Sequence, residues 1–336
     1  MSRIDYKAFI EENFYLRTKE GLIVPFKFNE VQDAYYNVLV KTYPGLQGIR
    51  ENVLKGRQFG ISTMVSAIFT TDFIMAGLGK IPLIDADIYS HKDSETKAHF
   101  DRVSMFLECW LVKYNGGHYL DNQSRDPKQL EKLRGEFLRT DTTNLLVTYN
   151  GAHIETQTAS AKVSGRGSTK QNLHWTEPAF YPNTDIMNAE TLMAGAEEQV
   201  PQNFGKIFRE STGRTVGDYF ALEYHRGKDG VSDFKSRFIA WYSFRAYTKT
   251  APRGWQPPSY YQRLISSQKA NIHQCYWHFT KTRGLTDKVK LREYPTYDRE
   301  AFLAGGELFF LNEALIHYTN AVIKPWKDGL YVSALS

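Results

Sequence analysis

Residues 55–63 read Lys-Gly-Arg-Gln-Phe-Gly-Ile-Ser-Thr, a combination of residue types that can bind phosphate. A predicted strand, Ile49 to Leu54, precedes them, and a helix-forming run, Met64 to Met75, follows. A strand, a glycine-containing loop and a helix in this order direct backbone N–H groups and a helix N-terminus toward one anion. The standard pattern G-x-x-x-x-G-K-[ST] is not met, because Ile61 stands where the lysine belongs. A lysine does stand at the front of the loop, at Lys55.

Hydrolysis of a nucleoside triphosphate needs three further groups: a hydroxyl for Mg²⁺, an acid that polarises water, and a cation for the γ-phosphate. Ser62 offers the hydroxyl, and Glu177 ends the buried strand pattern that begins at Asn172. Lys55 or Arg57 offers the cation. Each group alone is a weak signal, but the order in which they occur predicts a nucleotide-hydrolysing site.

Strand and helix patterns alternate along the chain and predict an α/β fold with a mostly parallel sheet flanked by helices. Asn29 is the predicted N-cap of a helix over 30–42, and Asp93 begins an amphipathic pattern that runs to Trp110. Asn150-Gly151 lies between two strand patterns and predicts a hairpin. Residues 259–320 are mostly helical by pattern.

The 336-residue chain is 42% hydrophobic and 24% charged, which is typical of a globular protein. Its net charge of +5 is compatible with an anionic partner without requiring one. Cys109 and Cys275 lie far apart, which argues against a disulfide framework or a zinc site. Neither a secretory signal nor an apolar run long enough to span a bilayer is present, so we expect a soluble protein without a membrane partner.

Several segments resemble the large terminase subunits of tailed phages, the motors that package DNA into capsids. Lys55–Thr63 resembles their deviant Walker A loop, in which several members carry the lysine at the front. Leu173–Phe180 resembles the Walker B strand, and Glu210–Gly213 resembles the coupling motif that follows it. Further likeness is found in three segments: Gly165–Gly167 upstream of Walker B, and Arg292–Leu303 with Gly306–Phe309 at the end of the ATPase half.

The resemblance implies a P-loop NTPase of the RecA-like, additional-strand class that uses ATP and Mg²⁺ and a small, largely helical linker subdomain. Lys55 would reach the β- and γ-phosphates, Arg57 would sense the γ-phosphate, and Glu177 would be the catalytic glutamate that aligns and polarises the attacking water. Ser62 would ligate the metal, with Glu177 beside it, and Ser211 and Thr212 would couple hydrolysis to motion. The implied nucleotide-binding residues are Gln32, which would read adenine, and Lys55, Gly56, Arg57, Gln58, Gly60, Ile61, Ser62 and Thr63.

The sequence departs from the family pattern in two respects. Thr176 stands where many P-loop ATPases keep an aspartate for Mg²⁺, and Asp85 or Asp87 could replace it only if the fold brings one near. Residues 1–255 are the expected ATPase domain and 256–336 the linker subdomain. We expect this chain to carry the ATPase half without the nuclease domain of full-length relatives, and therefore expect no DNA cleavage by it.

A packaging motor must bind double-stranded DNA through its phosphates, which calls for lysine and arginine in loops. Arg166, Arg209 and Arg214 are candidates for a DNA contact or for a trans-acting arginine in a neighbouring ATP site. Further candidates for DNA contact are Arg125, Lys128, Lys132, Arg134, Arg139, Lys162 and Lys170.

The sequence therefore predicts an ATPase that moves double-stranded viral DNA into a procapsid. The resemblance implies a ring of these chains on the portal protein, a small terminase subunit as partner, and the cytoplasm of the host cell as location. Two alternatives remain open: a terminase-like pseudo-ATPase that acts as a scaffold, and a superfamily-2-like DNA helicase or translocase.

Overall fold

The computed structural model describes residues 4–159, 169–184 and 188–303. Candidate residues Lys162 and Arg166, the turn at 165–167 and the segment 306–309 lie outside the described residues. The strands are β1 (Tyr15–Arg17), β2 (Ile23–Pro25), β3 (Ile49–Lys55), β4 (Asp85–Ser90), β5 (Leu138–Asp141), β6 (Leu145–Thr148), β7 (His153–Thr158), β8 (Asn172–Thr176), β9 (Lys206–Ser211) and β10 (Lys235–Ile239).

The helices flank these strands and close the core. They are α1 (Tyr6–Asn13), α2 (Glu30–Thr42), α3 (Ile61–Gly77), α4 (Asp93–Tyr114), α5 (Pro127–Phe137), α6 (Ala189–Glu197), α7 (Tyr219–Lys228), α8 (Ser259–Ser266), α9 (Ile272–Thr282), α10 (Asp287–Glu293) and α11 (Asp298–Leu303). None of the helices in the described ranges combines the length and the apolar character that a bilayer span requires.

Eight of the described strands form one mixed sheet in the order β10-β3-β9-β8-β4-β7-β6-β5. The six strands from β10 to β7 are parallel, and β6 and β5 extend the sheet as an antiparallel edge. The predicted hairpin at Asn150-Gly151 joins β6 to β7, and Gly151 has a positive φ of 98°, as such turns require. The predicted mostly parallel α/β sheet is confirmed.

The first parallel strand of the sheet and the helix that follows it are both buried. Every residue of β3 is buried, and α3 is buried on nearly all sides, which fits the many apolar residues in its sequence. The chain turns from β3 into α3 through a loop that ends at Gly60, whose φ of 76° is readily adopted only by glycine. This arrangement fixes the N-terminus of α3 at the carboxyl edge of the sheet.

Helix α2 lies beside that loop, and its start is determined locally. The Asn29 side chain accepts hydrogen bonds from the N–H groups of Val31 and Gln32, and the Gln32 side chain accepts from the N–H of Asn29. This reciprocal capping box confirms the predicted N-cap. It also holds the Gln32 amide at the edge of the phosphate loop.

Helices α8 and α9 share the main hydrophobic core. Tyr261 and Leu264 of α8, Cys275 of α9 and Tyr294 belong to the same buried cluster as the residues of β3 and α3. Trp241 is fully buried and stacks on His278 of α9 with ring centroids 4.3 Å apart. The boundary near residue 255 stays a prediction, because packing alone does not separate the two parts.

Candidate functional site

The loop between β3 and α3 has the backbone form of an anion-binding site. No side chain caps α3 at Gly60, so the first turn of the helix lacks a protein acceptor of that kind. The first two residues of the loop are bound to other elements of the fold. The N–H of Gly56 donates to the Ile239 carbonyl at 3.2 Å, and the N–H of Arg57 donates to the Glu293 carbonyl at 3.0 Å. Strand β10 and helix α10 therefore restrain the backbone at the start of the loop.

Lys55 lies between two carboxylates at the end of β3. Its Nζ is 2.9 Å from Glu177 Oε1 and 3.0 Å from Glu210 Oε2, and the residue is 5% exposed. Burial alone would lower the pKa of Lys55, but the charges of Glu177 and Glu210 raise it above its ordinary value. The ammonium group is therefore charged, and it faces the interior of the site.

Glu177 follows β8 directly and has an unusual backbone. Its φ of 52° lies in the left-handed region, which a residue with a side chain adopts only under constraint. Its Oε2 accepts three hydrogen bonds, from Ser211 Oγ at 3.1 Å and from the N–H and Oγ1 of Thr212 at 2.8 and 3.0 Å. The structure therefore brings together the predicted acid, the predicted lysine and both residues of the predicted coupling motif.

Glu210 belongs to the same cluster, although sequence reasoning assigned it no role. It is fully buried in β9, and its Oε1 accepts a hydrogen bond of 2.6 Å from Ser62 Oγ. Burial alone would raise its pKa, yet Lys55, His174 and Ser62 together lower it to about 2. The signal in the sequence that could have identified Glu210 is an acidic residue that directly precedes Ser211 in a buried strand.

Two buried histidines lie behind Glu210. His174 Nε2 is 3.4 Å from Glu210 Oε1, and the His174 and His99 rings meet edge to face at 5.9 Å. Burial lowers the pKa of both imidazoles below the ordinary histidine value. Both rings are therefore neutral near pH 7, and Lys55 is the cation that balances the two glutamates.

Gln32 holds the phosphate loop from the α2 side. Its Nε2 donates to the carbonyl of Gly60 at 2.7 Å while its Oε1 accepts from Asn29, whose Nδ2 donates to the Phe59 carbonyl at 3.1 Å. One N–H and one lone pair of the Gln32 amide remain for other partners. These contacts of Gln32 position the phosphate loop. The role of Gln32 in binding adenine stays a prediction.

A cavity of about 780 Å³ opens beside this part of the loop. Its lining includes Gln32, Gly60 and Thr63 together with Tyr15 and Arg102. The Arg102 guanidinium hydrogen-bonds to His99 Nδ1 at 3.0 Å, and no ion pair joins it to a carboxylate within the described ranges. Sequence reasoning missed Arg102, because helix α4 reaches the loop only through the packing of the fold.

The predicted γ-phosphate sensor, Arg57, faces helix α10. Its Nη1 lies 3.2 Å from Glu293 Oε2, and its side chain is 59% exposed. Tyr247 donates a hydrogen bond to the Arg57 carbonyl, which adds a second restraint on the backbone at this position. Arg57 is therefore at the site but bound to a neighbouring carboxylate.

The candidate arginines for contacts beyond the chain fall in different environments. Arg209 is 2% exposed, pairs with Glu197 and Glu223, and lies 3.7 Å above the Phe234 ring. This geometry argues against the predicted contact of Arg209 with DNA or a neighbouring subunit, because the guanidinium is buried in ion pairs inside the protein. Arg214 is exposed and donates to the Ala179 carbonyl at 3.3 Å, close to Glu177.

Several of the predicted DNA-contacting residues have internal partners, and those of Arg134 and Lys170 are carboxylates of the sheet and of helix α4. Arg134 pairs with Glu108 and Asp141, and Lys170 pairs with Asp85 and Asp87 at 2.8 and 3.0 Å. These contacts also correct the idea that Asp85 or Asp87 replaces the missing acid at Thr176. Both acids belong to the first half of β4, away from its carboxyl end, and their charge is balanced by Lys170.

The position of β9 defines the class of the fold. The phosphate loop follows β3, the acid follows β8, and β9 lies between these two strands with its hydroxyl pair at the same edge. This is the mostly parallel sheet of a RecA-like P-loop fold with an additional central strand.

Comparison with solved structures identifies terminases with this fold. The HK97 bacteriophage large terminase is similar with a TM-score of 0.51 and 12% identity, over 87% of this chain and 54% of that one. The ATPase domain of the Thermus phage P74-26 large terminase gives a TM-score of 0.45 and 15% identity, over 81% of this chain and 98% of that domain. The large terminase of a thermophilic bacteriophage gives a TM-score of 0.40 and 12% identity, over 64% of this chain and 46% of that one.

The likeness to the HK97 protein is a likeness of fold, and this chain spans about half the length of that terminase. No protein-family model matches the sequence, and neither does any curated protein. The resemblance seen in the motifs is thus confirmed at the level of the fold.

Proposed function

We propose that the chain is an ATP-hydrolysing motor that moves double-stranded viral DNA into a procapsid as part of a terminase ring. The observation that carries the proposal is the meeting of Lys55, Ser62, Glu177 and the Ser211–Thr212 pair at one edge of the sheet. The fold shared with the HK97 large terminase supports the packaging context.

Lys55 and the N-terminus of α3 would hold the β- and γ-phosphates in this proposal. A lysine ammonium on its four-carbon stem is a mobile point charge, so it can serve the loop from the front as well as from the end. Ser62 would ligate Mg²⁺, which neutralises phosphate charge when it is bound. The half-buried Ser62 hydroxyl and the adjacent anionic Glu210 oxygen fit such a hard cation.

Glu177 would act as the acid that orients the attacking water. Its Oε1 is occupied by Lys55, whereas its Oε2 is fixed by Ser211 and Thr212. When Lys55 turns toward phosphate, Oε1 is released while the three hydrogen bonds to Oε2 still hold the carboxylate in place. Nucleotide binding would thus free one oxygen of a glutamate that is already positioned.

Coupling to motion would run through the helices that follow residue 255. Helix α10 contacts the phosphate loop at Arg57, and α11 packs against Gly213 at the end of the coupling motif. A change at either contact reaches the same helical segment. We infer that residues 256–336 are the linker subdomain and that this segment responds to hydrolysis.

The nucleoside would enter the cavity beside Gly60 and Thr63. There the remaining donor and acceptor of Gln32 could read an adenine edge, which presents both complementary groups. Arg102, which lacks a carboxylate partner among the described residues, offers a positive charge in the lining of this cavity.

Assembly into a ring would bring an arginine of one subunit to the ATP site of its neighbour. Arg214 is exposed beside Ala179 and is the described candidate for an arginine that acts on a neighbouring site. Arg166 lies outside the described residues and remains a second candidate. Portal protein, small terminase subunit, DNA and the host cytoplasm are the partners and location that this proposal implies.

Nucleotide binding and hydrolysis by the purified chain test the proposal. We expect Mg²⁺-dependent ATP hydrolysis that falls by about 10²–10⁴ in Glu177→Gln, the range of a lost general base. ATP binding should persist in Glu177→Gln and weaken in Lys55→Ala. Circular dichroism shows whether each variant is folded. The assay is repeated with added DNA and portal protein, because activity that depends on assembly is measured only in their presence.

Hydrolysis that is unchanged in both variants would contradict the site assignment. Undetectable nucleotide binding at millimolar ATP would favour the pseudo-ATPase scaffold instead. Strand separation on a forked duplex would favour the helicase alternative.

A further inference from the structure

Thr176 leaves the site without the acid that P-loop ATPases usually place before the catalytic glutamate. Its hydroxyl hydrogen-bonds to Ser90 Oγ at 3.4 Å and carries no charge. Mg²⁺ in such sites is bound through carboxylates, water and phosphate oxygens. If the proposed function is correct, a carboxylate must come from another residue.

Glu210 stands on the neighbouring strand at the position opposite Thr176. Strands β8 and β9 are parallel, and Thr176 and Glu210 are direct partners in their register. On its other side β9 pairs with β3, which leads into the phosphate loop. Glu210 therefore lies between the strand of the phosphate loop and the strand of the acid.

The two oxygens of the Glu210 carboxylate differ in their contacts: one accepts a hydrogen bond from Ser62, the predicted metal ligand, and the other accepts none from the described residues. Oε1 accepts from Ser62 Oγ at 2.6 Å. Oε2 is buried and receives no hydrogen bond from any described residue, although the Lys55 ammonium lies 3.0 Å away as an ion-pair partner. A buried carboxylate oxygen in this state requires a cation.

We infer that Glu210 supplies the carboxylate that binds Mg²⁺ together with Ser62, in place of the acid that is absent at Thr176. The inference rests on the proposed function, because it needs a nucleotide at the phosphate loop. In the absence of nucleotide, Lys55 balances the charge of Glu210. Once Lys55 turns to the phosphates, Glu210 is left with an anionic oxygen beside the Ser62 hydroxyl.

Magnesium-dependent nucleotide binding tests this role without relying on hydrolysis. A fluorescent ATP analogue is bound first in EDTA, and Mg²⁺ is then titrated to find the midpoint of the change in affinity. We expect Glu210→Gln to bind the analogue in EDTA within about threefold of the wild type. Its Mg²⁺ midpoint should rise by about 10–100-fold, as is typical when a group that supports a metal ligand is lost.

Glu51→Gln is the matched control. Glu51 is also a fully buried acid of the central sheet, but it lies in β3 and pairs with Arg237. It should leave the Mg²⁺ midpoint unchanged. A second variant, Thr176→Asp with Glu210→Gln, returns a carboxylate to the partner strand and should bring the midpoint back toward the wild-type value.

Thermal unfolding without ligand shows whether each variant folds. Glu210→Asp keeps the charge beside Lys55 and serves where glutamine at this position prevents folding, and its shorter side chain should also raise the midpoint. A wild-type midpoint in every folded variant at position 210 would overturn this inference alone. A wild-type chain that binds no nucleotide, with or without Mg²⁺, would overturn the proposed function and this inference together.

Discussion

Arg57 contacts Glu293 through both its backbone and its side chain. The Arg57 N–H donates to the Glu293 carbonyl at 3.0 Å, and Nη1 lies 3.2 Å from the Glu293 carboxylate. One residue of the phosphate loop is thus bound to helix α10. The contact ties the proposed nucleotide site to the helical segment that the sequence assigns to a linker.

Arg57→Ala separates the two roles of this arginine. The Arg57 side chain is mostly exposed, so we expect the free energy of unfolding to fall by less than about 1 kcal/mol. ATP hydrolysis should fall by about 10²–10³, the usual loss when a charge-stabilising donor is removed. Urea denaturation and steady-state hydrolysis measure these effects, and the exposed Arg253→Ala is the control. Equal activity in the two variants would exclude a role of Arg57 at the phosphates.

Lys55→Met should destabilise the fold in the absence of nucleotide. The substitution leaves Glu210 buried without its cation, and breaking a buried pair in this way costs about 3–5 kcal/mol. The double variant Lys55→Met with Glu210→Gln should recover a large part of that loss, because it removes both charges. A double-mutant cycle by urea denaturation measures the coupling between them.

The exposed Lys19→Met is the control for that cycle, and we expect a change within about 0.5 kcal/mol. A stability loss in Lys55→Met that is no larger than in Lys19→Met would show that the carboxylates are protonated or hydrated. That result would contradict the low pKa of Glu210.

Gly213→Ala tests the contact between the coupling motif and helix α11. An added Cβ at Gly213 would lie 2.3 Å from the Ala301 carbonyl oxygen, so helix α11 must move. We expect a stability loss of about 1–3 kcal/mol, as for other overpacked sites. Gly217→Ala is a close control, since a Cβ there meets no atom within 4 Å.

Thermal unfolding gives the stability difference between these two variants, and hydrolysis with and without DNA gives the effect on coupling. If α11 transmits hydrolysis, Gly213→Ala should lose stimulation by DNA more than basal activity. Equal stability and stimulation in the two glycine variants would refute the contact.

The buried histidines predict a loss of stability in mild acid. Burial lowers the pKa of His278 from 6.5 to about 3, and its Nδ1 shares a hydrogen bond of 2.8 Å with the Tyr261 hydroxyl. The unfolded chain binds a proton below pH 6.5, whereas the folded chain does not until about pH 3. The stabilising effect is therefore present above pH 6.5 and declines by about 1.4 kcal/mol per pH unit below it.

His278→Gln should reduce the pH dependence of the free energy of unfolding by about one proton between pH 6 and 4.5. Urea denaturation across this range measures the slope. The exposed His118→Gln should leave the slope as it is in the wild type. A slope that is the same in all three proteins would show that His278 is protonated in the folded state.

Local patterns predicted most of the elements that carry the site. The strand before Lys55, the Asn29 cap and the Asn150-Gly151 turn each depend on neighbours in sequence, and the structure has each of these features. The order of the motifs, from the phosphate loop to Glu177 and then to Ser211 and Thr212, likewise follows from the chain itself. These features rely on short-range geometry, which residue types specify directly.

Other features depend on strand order and side-chain burial, which no local pattern contains. Arg209 has the same charge as Arg214, yet the first pairs with two carboxylates in the interior and the second is exposed. Asp85 and Asp87 meet Lys170 only because β4 and β8 are neighbours.

The sequence by itself determined that a lysine, a serine, a glutamate and a hydroxyl pair occur in the order of a nucleotide-hydrolysing site. Only the tertiary structure decided that Glu210 joins them. Its role depends on β9 lying between β3 and β8 in a register that sets Glu210 opposite Thr176. Register and strand order arise from contacts between residues far apart in the chain, and these contacts exist only in the folded protein.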